Sequence, residues 1–399
     1  MERSRMPAPH LVNGLRRLVN DLSQTVPLPG HGLSGIPCST TELISFQDDS
    51  VQYCGEPIEE LMGRCSFEEV IWLLLNQKLP SEEQLADMEA VLVDAAVVDS
   101  SVVEMIERIP LGARPLDLFP LIISLLSFFD PAPHDQHQEA TRSRVWRLFA
   151  QIPVMIAAGL GRPLVDGTVF RNPEHTTLSW AGRLLQCLRD VDRCPTPVED
   201  EAMNSLMIAV CLTELRPSCF AARFSGSTVN HIASSLQSAA TLFVAQLRND
   251  PFEWSSRLLS GFTGPESVNQ WWKGRQGQAM PFGFSGPSSD PRPGLLREIC
   301  HRMLGSYDRI VLESSTCRLE KILEPMSLYP TTDWNAARLM TLLDIPSDRQ
   351  SLVIAMARMA GWAAQSMEQQ RSGVPLLPVL HYSYPASAEL ASDDFLSED

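Results

Sequence analysis

Lysine is nearly missing from this chain. Only Lys78, Lys273 and Lys321 occur among 32 basic residues, so 29 are arginines. Arginine presents a planar fork that grips a carboxylate through two hydrogen bonds; the bias is compatible with carboxylate binding, as it is with codon composition alone. The basic residues are outnumbered by 48 acidic ones, for a net charge of −16. A surface this negative repels nucleic acid and anionic membrane, which argues against both as general partners. Any anionic ligand then needs a local arginine cluster. Paired cysteines are also missing. The nine cysteines are odd in number and widely spread, and no two stand at CxxC spacing. That excludes a disulfide framework and a zinc site and reads as reduced thiols in a cytoplasmic protein, with no metal expected. No run approaches about 18 apolar residues, so no membrane span is expected, and no apolar leader core opens the chain. GxxxxGK[ST], GxGxxG after a strand and GxSxG do not occur, which removes the phosphate cradles and the nucleophile turn those motifs build.

What is present is a globular composition. Hydrophobic residues make up 44% and charged residues 20% of 399 residues, enough for two or three domains and a sizeable core. A Pro/Gly-rich connector, "VPLPGHGLSGIP", follows a short N-terminal helix, and a weak strand pattern runs through residues 39–55 with a polar turn at 48–50. From there the pattern is helical. "SFEEVIWLLLNQKLP" opens with Ser66 as N-cap and Glu69 three residues on, and Ser81 opens the next helix with Glu82 and Glu83 in its first turn. "PLDLFPLIISLLSFFDP" is apolar on nearly every side and predicts a buried helix or a subunit contact. "CFAARFSGSTVNHIASSLQSAATLFVAQL" reads as one long amphipathic helix containing His231. Residues 248–265 have no clean period, and 277–294 read as loop from their prolines and glycines. His134 and His137 form an HxxH pair, which Pro131 and Pro133 place in a solvated loop; Trp271 and Trp272 lack a basic patch and read as packing residues.

Seven phrases in order carry a resemblance to the citrate synthase family, from about Gly35 to Pro378. They are "GLSGIPCSTTELISF…VQYCGEPIEELMGRCSFEEVIWLLLNQKLPSEEQL", "ARPLDLFPLIISLLSFFDP", "LSWAGRLL", "ELRPSCFAARFSGST", "PFGFSGPSSDPR", "LYPTTDWNAARLMTLLDIP" and "ARMAGWAAQSMEQ". The resemblance implies an all-α fold and a homodimer, with a large helical domain and a smaller helical domain closing over a cleft. On this chain that places an arm at 1–37, the large domain at 38–249 and 345–385, the small domain at 250–344 and a disordered acidic tail at 386–399. It implies condensation of an acyl-CoA with a 2-oxo carboxylate, the coenzyme A thioester being substrate and no cofactor being permanently bound.

Such chemistry needs a carboxylate base for a weakly acidic methyl proton, donors to both carbonyl oxygens, and arginines for the oxo acid. Position by position, the family's Asp base matches Asp333, and two carboxylate-binding arginines match Arg292 and Arg358. Read from the residues alone, Asp333 is equally a helix cap and each arginine an ordinary ion-pair member. Other positions depart from the pattern. The His on the ketone matches Phe284, and the His that binds the oxo acid matches Thr213. An Asn of the same phrase matches Arg216. The turn carrying the thioester donor falls near Arg248 and holds no His. The partner-subunit Arg matches Leu377. Arg248 and Thr213 are the candidates to substitute as donors. Losing one such donor costs about 10²–10³ in rate, so ordinary citrate synthesis is not expected. Altered chemistry on a carboxylate substrate, or a non-catalytic dimeric interaction or carboxylate-sensing module, remain as readings.

Overall fold

The computed structural model describes residues 36–47, 50–133, 135, 137–162, 178–190, 193–213, 216–228, 231–247, 250–275 and 280–378. The N-terminal helix, most of the connector, His134, Arg248 and the acidic tail lie outside them. The chain divides into a unit up to Thr40 and one from Thr41 onward, and everything below concerns the second.

Three short antiparallel strands come first: β1 (Ile44–Gln47), β2 (Ser50–Tyr53) and β3 (Glu56–Pro57), with Ile44 opposite Tyr53. Helices α1 (Ile58–Arg64), α2 (Phe67–Asn76), α3 (Glu82–Ala95), α4 (Ser100–Glu107), α5 (Pro115–Phe128) and α6 (Gln138–Gly159) follow. Both expected N-caps form. Ser66 and Glu69 close a reciprocal box at α2, and Ser81 closes one with Gln84 at α3, each satisfying two backbone N–H groups that a helix start leaves open. Next come α7 (Trp180–Leu188), α8 (Pro197–Cys211), α9 (Pro217–Thr228) and α10 (Ile232–Gln246). The long helix expected around His231 is therefore two helices. His231 is not inside either; it caps α10, its Nδ1 accepting from the Ser234 backbone N–H.

Residues 248–265, which showed no period, contain α11 (Pro251–Ser260), and α12 (Pro265–Lys273) follows. Both begin with proline at the first helical position, and Asp250 caps α11 by accepting from the backbone of Phe252 and Glu253. The expected loop at 277–294 is shorter than its composition suggested. Phe284–Ser285 form β4, and α13 (Arg292–Arg302) starts before the loop was expected to end. α14 (Tyr307–Leu323), β5 (Tyr329–Pro330, antiparallel to β4), α15 (Thr332–Leu342) and α16 (Gln350–Ser372) complete the order.

α16 is the centre of the molecule: every residue from Gln350 to Met367 is buried. Its alanines, Gly361 and methionines let α8, α9 and α10 approach closely. α5 joins this core through Leu116, Phe119, Ile122 and Ile123 but leaves Leu121 and Phe128 outward. A second, smaller apolar cluster gathers Leu259, Phe262, Val268, Leu319, Leu323 and Trp334. Trp271 packs edge-on against Phe262 there, as its sequence setting implied. Among the described residues, no helix is long and apolar enough to cross a membrane.

Candidate active site

A cleft of about 410 Å³ opens where five distant pieces of chain meet: the end of α8, Thr213 with Arg216, the segment from Ser285 to the start of α13, residues 329–333 and α16. Asp333, Arg292, Arg358, Thr213 and Arg216 all line it. Five residues singled out over some 145 positions of sequence thus share one cavity.

The cleft wall is set by Tyr53. Its ring is fully buried, and its hydroxyl donates toward the carbonyl oxygens of Ile208 and Leu212, both at 3.2 Å. These carbonyls belong to the last turn of α8, which a helix leaves without intrahelical donors. Arg292 reaches the same end, its Nη1 donating to Leu212 O at 3.0 Å, where a cation also complements the helix dipole. Nε and Nη2 of Arg292 fork onto Asp290 at 2.9 and 2.7 Å. Burial alone would depress this guanidinium's pKa, but Tyr53 and Asp290 more than offset it, and Arg292 stays firmly charged. It is held in place, and most of its donors are already committed.

Arg358 is different. It is 7% exposed, and its nearest acidic partner is Asp333, Nη2 to Oδ1 at 3.7 Å, beyond hydrogen-bond length. Its Nε has no partner among the described residues, and its guanidinium lies 5.2 Å from the centre of the Phe243 ring. Burial pushes its pKa below the usual range; Asp333 offsets part of this, and Arg216 and Arg292 push it further down. A buried cation this poorly paired faces the cleft with donors to offer.

Asp333 does not cap its helix. Thr331 holds the N-cap position of α15 and turns its hydroxyl to Gly283 O, at 2.9 Å, leaving Asp333 in the first turn with its carboxylate toward the cleft. Phe284 does not fill the cleft. Its ring packs on Trp334, centroids 4.6 Å apart, as part of the smaller apolar cluster. Thr213 sits beside Cys219, Oγ1 to Sγ 3.6 Å. Leu377 is 62% exposed and does not line its own chain's cleft. Residues that follow Arg248, among them Asp250 and Trp254, border a second cavity of about 510 Å³.

Tyr53 and Asp290 are the residues whose roles sequence reasoning missed. Both stand inside quoted phrases. Tyr53 acts across some 160 positions, on the end of α8, and Asp290 grips Arg292 only two residues on, but neither spacing by itself says what the side chain holds. Among the described residues, one group outside the cleft has metal-ligand types: His301, Glu313 and Cys317. Both Glu313 oxygens are already gripped by the fully buried Arg338, however, and burial followed by Glu313 pushes the Cys317 thiol up, away from the thiolate a soft metal needs. The group reads as an ion-pair network, with His301 Nε2 2.8 Å from Glu313.

A helical fold built on one central helix fits the all-α architecture that the sequence phrases suggested. Residues 32–377 match the family described as citrate synthase, C-terminal domain, and the chain belongs to the citrate synthase family. It is 27% identical to citrate synthase 2 of Bacillus subtilis over 360 residues, 89% of this chain and 95% of that one. It is 24% identical to 2-methylcitrate synthase 1 of Corynebacterium glutamicum, over 88% of this chain and 94% of that one. Among solved structures, citrate synthase of Thermoplasma acidophilum, in ternary complex with carboxymethyl coenzyme A and oxaloacetate, superposes with a TM-score of 0.77. The two are 18% identical, over 90% of this chain and 97% of that one.

Proposed function

We propose that this protein condenses an acyl-CoA with a 2-oxo carboxylate, by a route altered from ordinary citrate synthesis. The observation that carries this reading is Arg358, a buried and under-paired guanidinium 3.7 Å from Asp333 in an open cleft. Arg358 binds a carboxylate of the oxo acid, since a charge-assisted fork is the strongest pairing available to it. Asp333 takes the proton from the carbon next to the thioester carbonyl. That carbon bonds to the ketone carbon, and the ketone oxygen takes up a proton. Arg292 shapes the wall and holds it positive. Phe284 offers no hydrogen to the ketone, so that donor is a hydroxyl such as Thr213 or a residue outside the described set such as Arg248, and turnover is slow. The smaller apolar cluster fits a domain that closes over the cleft, and the outward Leu121 and Phe128 of α5 fit a homodimer contact in a cytoplasmic protein.

The test is a condensation assay with acetyl-, propionyl- and longer acyl-CoAs against a panel of 2-oxo acids. Turnover with at least one pair, lost by 10²-fold or more in Asp333→Asn, is expected (about the range for a general base). Silence across the panel, with no ligand raising the melting temperature, refutes it. Phe284 packed on Trp334 favours one second reading, a carboxylate sensor without catalysis. It predicts a thermal shift with a carboxylate alone and no turnover.

A further inference from the structure

We propose that Arg216 is a second carboxylate anchor of the cleft, and that with Arg358 it makes the site select ligands bearing two carboxylates over those bearing one. The proposal rests on the reading of the cleft as a carboxylate site and adds its selectivity. Among the described residues, three arginines and two aspartates line the cavity. The three guanidiniums are not equivalent. Arg292 is committed to Asp290 and to the carbonyls at the end of α8. Arg358 is buried at the cleft floor, and among the described residues Asp333, at 3.7 Å, is its one ion-pair partner. Arg216 stands at the rim, exposed, and makes no ion pair or side-chain hydrogen bond among the described residues.

The backbone fixes where Arg216 sits. It directly precedes Pro217, the first residue of α9, and its carbonyl accepts from Phe220 N–H at 2.8 Å, closing the first turn of that helix. The charge is thus carried on the start of a rigid helix that packs on α16, which carries Arg358. Like charges gathered in one cavity are unfavourable until an anion arrives, and Arg216 weighs against the charge on Arg358. Two forks, one at the floor and one at the rim, each match one carboxylate. Arg216 stands where the family phrase carries an uncharged Asn, three residues from Thr213 in place of a His. The chain therefore supplies, from a position of its own, positive charge that Thr213 and Leu377 do not.

The test is calorimetric titration of the full-length protein with oxaloacetate and 2-oxoglutarate, against pyruvate and 2-oxobutyrate. The wild type is expected to bind at least one dicarboxylate more tightly than either monocarboxylate. Arg216→Gln is expected to weaken dicarboxylate binding by about 10- to 100-fold, the loss typical of a charge-assisted pair, and to change monocarboxylate binding by less than about threefold. Arg216→Lys recovers part of the loss, and the ligand-free melting temperature stays at the wild-type value because the side chain is exposed. If Arg216→Gln keeps wild-type affinity for the dicarboxylates while Arg358→Gln loses it, the proposal falls and the cleft reading stands. A wild type preferring monocarboxylates also overturns the proposal alone, whereas a wild type binding none of the four overturns both.

Discussion

Replacing Gly361 by alanine should loosen the fold and the site together. Gly361 lies mid-way along α16, where it crosses the end of α8. A Cβ there would fall inside 3.0 Å of the Cys211 carbonyl oxygen and 3.1 Å from Leu212 Cδ1. The obstruction is backbone and cannot rotate away, so the two helices must part by about 1 Å, a gap that forfeits a quarter to a half of each dispersion contact along the seam. Overpacking of this kind costs about 1–3 kcal/mol, and the upper end applies to a backbone clash. Against it stands the helix preference of alanine over glycine, about 1 kcal/mol. The net is a loss of about 2 kcal/mol, seen in urea unfolding as a lower midpoint with an unchanged slope. Function should suffer too. Arg358 is one turn earlier on α16, and Leu212 O holds Arg292, so separating the helices moves these guanidiniums apart. Gly63→Ala is the control: its Cβ would meet nothing within 4 Å, and a gain of up to about 1 kcal/mol is expected. If Gly361→Ala instead matches or exceeds wild-type stability and keeps its ligand response, α16 and α8 do not cross as closely as this.

Three further outcomes follow from the same contacts. Arg358→Met removes a poorly paired buried charge while keeping most of its volume, so ligand-free stability should hold or rise while every carboxylate-induced thermal shift disappears; a variant that melts earlier but still responds to carboxylates contradicts this. Tyr53→Phe leaves the α8 carbonyls short of a donor and should cost about 1–3 kcal/mol in urea unfolding, with weaker ligand binding; a neutral result removes Tyr53 from the support of Arg292. Glu199, buried among Arg189, Arg193 and Arg309, is held well below the usual carboxylate range: burial opposes this, but the Arg193 fork, the Thr196 N–H and the other arginines overcome it. Its stabilisation is therefore full above about pH 4.5, its ordinary value, and is lost as pH falls below it. Glu199→Gln should cost about 3 kcal/mol at neutral pH and flatten the acid limb of a melting-temperature profile; an unchanged limb assigns acid unfolding to other carboxylates.

The site was legible in part, for a reason visible in particular residues. Asp333, Arg292 and Arg358 stand inside recognisable phrases and meet in the cleft. Their states were not legible. Nothing in "DPR" says that Asp290 occupies Arg292, and nothing in "ARMAGW" says that Arg358 is left short of partners. Phe284 read as a lost donor; its ring packs on the fully buried Trp334, an apolar neighbour that no local signal announced. Arg216 read as a mere departure from a pattern until the cavity placed it beside Arg358.

The sequence by itself determined the elements whose signals are local: the boxes at Ser66 and Ser81 and the buried run of α5. Each depends on contacts three or four residues apart, which composition and spacing encode directly. It was misleading where local signals are weak, as at the α9–α10 break before His231 and at α11, whose start rests on Asp250 and a proline and not on an apolar stripe. Tertiary structure alone decided the charge balance of the cleft. That balance depends on which of five distant segments reaches which arginine and on how much water each loses, and neither is written in any one segment.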